Sequence, residues 1–76
     1  SAEEVVKLAK IFLELLRESI KLLKRSVDLL RKSSDPSLDK SEAEKVSREI
    51  EKVSDTSLKL SKKALDVVKR ALKVAS

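Results

Sequence analysis

The chain has no cysteine, histidine, glycine, methionine, tryptophan, tyrosine, asparagine or glutamine, and only one proline and one phenylalanine in 76 residues. Each absence closes off a class of explanation. Without cysteine there is no disulfide to reinforce a core that at this length is marginal on its own. Without histidine or cysteine the usual ligands of zinc and haem are missing, and carboxylates alone are poor support for such a site, so no metal and no cofactor is expected. Without glycine there is no loop of the kind that brings backbone N–H groups close to a phosphate. A single aromatic residue gives no platform for stacking bases. No apolar run approaches the roughly 20 residues of a membrane span, and charges interrupt every stretch, so a soluble chain is expected with no membrane partner. The opening Ser1-Ala2-Glu3-Glu4 lacks the basic start and apolar block of a signal peptide.

What remains is an alphabet of twelve residue types, rich in good helix formers, with a net charge of +5. The excess of lysine and arginine invites a nucleic-acid reading, but its placement favours another. Residues 1–20 sum to −1, 21–34 to +4, 35–56 to −3 and 57–76 to +5, so each expected helix begins acidic and ends basic. That order complements the helix macrodipole and sets the acidic start of one antiparallel helix beside the basic end of the other. With no nucleic-acid-binding motif, specific DNA or RNA recognition is not expected, and only nonspecific, salt-sensitive attraction remains.

From Ala2 to about Ser33 nothing breaks a helix. Its apolar residues fall on four heptad lines: Val5 and Phe12, continued by Ser19 and Ser26; Val6, Leu13, Ile20 and Val27; Leu8, Leu15, Leu22 and Leu29; and Ala9, Leu16, Leu23 and Leu30. These lines span about 160° of the helix, far wider than a two-position coiled-coil seam. Ile11 lies just beyond the stripe and is expected to be partly exposed or at an interface. Ser33-Ser34-Asp35-Pro36 is the clear punctuation. Proline suits a first helical turn and the preceding aspartate can accept that turn's free N–H groups, which predicts a loop over about 33–36 and a second helix over about 36–75. A competing start is the capping box Ser41-Glu42-Ala43-Glu44, which gives a longer loop.

In the second helix, Val46, Val53, Leu60, Val67 and Val74 form one line, with Ala43, Ile50, Ser57, Ala64 and Ala71 beside it. Ser47, Ser54 and Ser61 continue into Val68 and Ala75, and Glu44 and Glu51 give way to Leu58, Leu65 and Leu72. The apolar face therefore widens toward the C-terminal end. Ser54-Asp55-Thr56-Ser57 resembles a loop, but the valine line passes through it in register, so one continuous helix is expected. Two long helices with a short connection make an antiparallel hairpin.

Serine at heptad spacing on the apolar side of both helices is the most unusual feature. Ser19 and Ser26 should lie level with Ser54 and Ser47, so that serine faces serine. Hydroxyls facing one another can satisfy each other across helices, and polar layers of this kind fix register and oligomer state at some cost in stability. The competing readings are a bond from each serine to its own helix, a small residue that permits close approach, and a hydrated position at the stripe's edge. The polar layers are assigned to Ser19, Ser26, Ser47, Ser54, Ser57 and Ser61. The apolar interface is assigned to Val5, Leu8, Phe12, Leu15, Leu22, Leu29, Leu58, Leu65 and Leu72.

Catalysis is not expected. A nucleophilic serine needs a general base and donors for an oxyanion, whereas the lysines here belong to solvated faces. Carboxylate pairs such as Glu14 with Glu18 or Glu44 with Glu51 sit beside lysine and arginine on outer faces, where solvated ion pairing explains them. The apolar stripe carries the functional expectation. About ten aliphatic side chains left exposed by a lone hairpin would forgo ~15–30 kcal/mol of burial, at ~1.5–3 kcal/mol each. Another chain should therefore cover them, giving a four-helix bundle as a dimer or a six-helix bundle as a trimer.

The helix–loop–helix plan, the restricted alphabet, the Ser-Asp-Pro connection and the serine layers within aliphatic heptads together resemble computationally designed helical-hairpin oligomers with buried hydrogen-bond networks. The resemblance covers the whole chain and is one of style. It implies an all-α hairpin that assembles with itself, most simply as a homodimer, or with a designed helical partner chain. Many such proteins place asparagine, glutamine or histidine in their networks, and this chain has none. The alternatives are one half of a heterodimer with an acidic partner, and a bundle whose interior at Ser54, Ser57, Ser61 and Ala64 forms a small-molecule pocket or a switchable layer.

Overall fold

A computed structural model describes residues 1–76 as two helices, α1 (Ala2–Ser33, 32 residues) and α2 (Lys40–Ala75, 36 residues), packed against each other with no strands. Ser1 caps α1, its hydroxyl accepting from the Glu4 N–H at 3.3 Å. Acidic Glu3 and Glu4 occupy the first turn and basic Arg31 and Lys32 the last, as the macrodipole favours. Helix α2 runs unbroken through Ser54–Ser57, where Thr56 donates its hydroxyl to the Lys52 carbonyl at 2.9 Å.

The connection corrects one expectation. Helix α2 starts at Lys40, later than the expected position 36 and just ahead of the competing start at Ser41. The reason is local hydrogen bonding. The Asp35 carboxylate accepts from the Ser37 N–H at 2.9 Å and the Ser37 hydroxyl at 2.7 Å, folding back into the turn. Asp39 is the cap instead: its backbone is extended at φ −78° and ψ 170°, and its carboxylate accepts the Glu42 N–H at 2.8 Å. Leu38, directly before this cap, is half-buried at the closed end of the hairpin.

The seam between the helices uses two of the four heptad lines on each. On α1 these are the lines of Val5 and Leu8, including half-buried Leu15, Leu22 and Ser26 and fully buried Leu29 at 1% exposure. On α2 they are the valine line and its neighbour: Val53 and Val67 are buried, while Val46, Ile50, Ser57, Leu60, Ala64, Ala71 and Val74 are half-buried. Small residues at Ser57, Ala64 and Ala71 leave room for α1 to approach. On the other side of the seam Arg25 reaches Glu49 across the helices at 3.7 Å.

The result is a rod measuring 56 × 15 × 12 Å. Its radius of gyration of 17.3 Å exceeds the ~11 Å of a compact domain of this length. Only Leu29, Val53 and Val67 of the 76 residues are buried, so the hairpin has a seam but no enclosed core.

Candidate functional site

The two unused heptad lines of each helix lie on the same side of the hairpin. One open groove is lined by Val5, Leu8, Ala9, Phe12, Leu13, Val67, Val68 and Ala71, all apolar, which brings Ala9 and Leu13 of α1 together with Val68 of α2. Nearer the loop, Ser26, Leu29, Leu30, Ile50, Val53 and Ser54 share a second groove. The seam residues form the floor of both, and the unused lines form their walls.

This face is strongly apolar and exposed. On α1 it presents Val6, Leu13, Ile20 and Val27 beside Leu16, Leu23 and Leu30; on α2 it presents Leu58, Leu65, Leu72 and Val68. Leu23 is 65% and Leu72 66% exposed, whereas side chains of this type ordinarily go inside. Phe12 stands at the floor's edge, 37% exposed. Ile11 is also exposed, on a hollow shared with Lys10, Leu13, Glu14 and Arg17.

The apolar residues named from sequence therefore divide. Val5, Leu8, Phe12, Leu15, Leu22 and Leu29 line the seam with α2 of their own chain, while Leu58, Leu65 and Leu72 remain on the open face. The lines of Val6 and Ala9, part of the same stripe, supply the open face of α1. Periodicity shows which residues share a side of the helix, but it does not say which pair of neighbouring lines the partner helix will cover.

The serines divide as well. Ser19 donates to the Leu15 carbonyl at 3.0 Å and Ser26 to the Leu22 carbonyl at 2.8 Å, each within its own helix. The expected bonding between facing serines is not made within the hairpin: no side-chain hydrogen bond crosses from α1 to α2. The free carbonyl lone pair one turn back is always within reach of a helical serine, whereas a hydroxyl on another helix must be brought there. The serine of α2 that shares a groove with Ser26 is Ser54, one heptad beyond Ser47. Ser47, Ser54 and Ser61 stand exposed on the open face, and Ser57 is half-buried in the seam. No buried side-chain polar atom lacks a hydrogen-bond partner.

No cluster of three or more acidic, histidine or cysteine side chains gathers where a metal ion could sit. Neither helix is long and apolar enough to cross a membrane. In the loop, the Asp35 carboxyl is held below its ordinary value by the Ser37 backbone N–H and then by the Ser37 hydroxyl. These features leave the open apolar face as the candidate site. No protein-family model, curated protein or solved structure matches this chain.

Proposed function

We propose that the chain is a self-assembly module whose two-helix hairpin completes its core by forming a homodimeric four-helix bundle. The observation that carries this reading is the continuous open face along both helices. The chain exposes 6206 Å², against ~4,700 Å² for a typical folded monomer of its mass. An excess of about 1,500 Å² per chain is well above the ~800 Å² that each partner gives to a standard interface, and fits the larger, apolar interfaces of obligate homodimers. Four helices around one core would cover the walls of both grooves and leave the charged faces outside. The resemblance to designed helical-hairpin oligomers supports the same role and, with it, a designed origin.

The test is to make the face polar while leaving the seam intact. Leu23→Lys, Leu65→Lys and Leu72→Lys together should reduce the assembled species to monomer in sedimentation velocity. An unchanged mass with full helicity would mean that this face is not the interface. A second reading, one half of a heterodimer with an acidic partner, draws on the row of Lys10, Arg17, Lys24 and Arg31 beside the face. It would be supported by a chain that stays monomeric alone and assembles when that partner is added.

A further inference from the structure

We infer that the two copies associate with their loops at the same end, α1 of each lying on α2 of the other, and that the charged borders of the apolar face select this arrangement. The inference rests on the homodimer reading and adds to it the geometry and the residues that specify it.

The face has unlike borders. Along α1, the line next to Val6, Leu13, Ile20 and Val27 is Lys10, Arg17, Lys24 and Arg31, basic at all four heptad positions. Lys24 and Arg31 share a surface hollow with Leu23 and Val27 of the face, and Lys10 and Arg17 share another with Leu13. Along α2, the bordering line is Glu44 and Glu51 toward the loop, then Leu58, Leu65 and Leu72. Arg17 already pairs with Glu14 at 3.2 Å. Lys10, Lys24, Arg31, Glu44 and Glu51 form no ion pair within 4.0 Å in their own chain. Unpaired cations thus edge one side of the face and unpaired carboxylates the other.

A face can meet a copy of itself about a two-fold axis in two ways with helices aligned. If the axis lies across the helices, α1 meets α1 of the other copy. The wholly basic border then opposes itself, and Glu44 and Glu51 run alongside the leucines at the far end of the other α2. If the axis lies along the helices, α1 meets α2 of the other copy and every neighbouring pair is antiparallel. Rotation about such an axis moves no residue along it, so the heights within one hairpin carry over to the contact between copies. Within a chain, Arg25 and Glu49 stand level enough to pair at 3.7 Å. Lys24 with Glu51, and Arg31 with Glu44, have residue numbers adding to one more than that pair, a difference of under ~1.5 Å in height. At the same axial offset as Arg25 and Glu49, Arg17 and Lys10 come within reach of Leu58 and Leu65 of the other copy, where their aliphatic stems can lie over leucine while the charge reaches water. The second arrangement joins both unpaired sets and covers the widened end of α2; the first sets the basic border against itself and the carboxylates against leucine.

The chain has no cysteine, so Ser37→Cys, in the exposed loop, gives one labelling site per copy without touching the face. Spin labels there should report a distance under ~30 Å between copies, the width of a four-helix bundle, in a sample whose mass is that of a dimer. A dimer with labels near the far end, given a rod 56 Å long, overturns this arrangement and leaves self-association standing. A monomeric mass overturns both, and a trimeric mass overturns the two-fold geometry. The role of the borders is tested by Glu44→Lys with Glu51→Lys, which should weaken association at least ~10-fold, and by adding Lys24→Glu with Arg31→Glu, which should restore it. Equal affinities across this series would show that the charged borders do not select the arrangement.

Discussion

The Arg25 guanidinium and the Glu49 carboxylate lie 3.7 Å apart and make the one ion pair that joins α1 to α2. Each is about two-fifths exposed, and Glu49 also lies 3.9 Å from Lys52. The pair covers the seam on the side away from the apolar face, so it contributes to register more than to stability. A double-mutant cycle with Arg25→Ala and Glu49→Ala should give a coupling of no more than ~1 kcal/mol that shrinks as salt is raised. A much larger, salt-insensitive coupling would mean that the pair is buried by assembly.

Asp39 holds the start of α2. Asp39→Ala should cost ~1 kcal/mol in chemical unfolding, and Asp39→Ser should recover most of it, because a hydroxyl can also accept from the Glu42 N–H. Pro36→Ala should have a smaller effect, since Pro36 lies in the turn ahead of the helix.

Ser19 and Ser26 satisfy their hydroxyls on their own helix, so they are separable from the serines of the open face. Ser19→Ala with Ser26→Ala should raise the melting temperature and leave the mass unchanged, because alanine is the better helix former and no inter-helix bond is lost. Ser47→Val with Ser54→Val and Ser61→Val should instead add apolar surface to the face, raising stability while broadening the distribution of oligomers. A single sharp mass in the second variant would show that these serines do not specify assembly.

The Asp35 carboxyl should titrate below its ordinary value of 3.8. Because the folded state favours the ionised form, the loop's contribution to stability is present above the unfolded value and is lost as pH falls through the lowered folded value. An NMR titration of the side-chain carboxyl carbon measures this directly. Ser37→Ala should return the midpoint only part of the way, since the backbone N–H is the larger cause and survives the change.

Both helices, their continuity through Ser54–Ser57 and the apolar side of each were legible in the sequence, because seven-residue spacing depends only on helix geometry. The turn runs a few residues longer than its sequence suggests, because Asp35-Pro36 is a sound helix start in isolation. What competed was Ser37, whose two donors draw in the Asp35 carboxylate. A second signal was present in Leu38-Asp39-Lys40-Ser41-Glu42-Ala43, which has a capping aspartate with glutamate three residues on, flanked by apolar residues at the positions of a hydrophobic staple. The division of the stripe was not legible. Leu29 and Leu30 are chemically identical neighbours, yet one is 1% exposed and the other 61%. That difference comes from where the second helix settles, with Val53 and Ile50 of α2 against the Leu29 side.

The central claim is that the open face is covered by a second copy of the chain. Light scattering after size exclusion, over a hundredfold range of concentration and with helicity recorded on the same samples, tests it most directly. The account predicts a single species of twice the 8.5 kDa chain mass, highly helical throughout. A helical monomer at every concentration would contradict it, because the leucines of that face would then be stable in water.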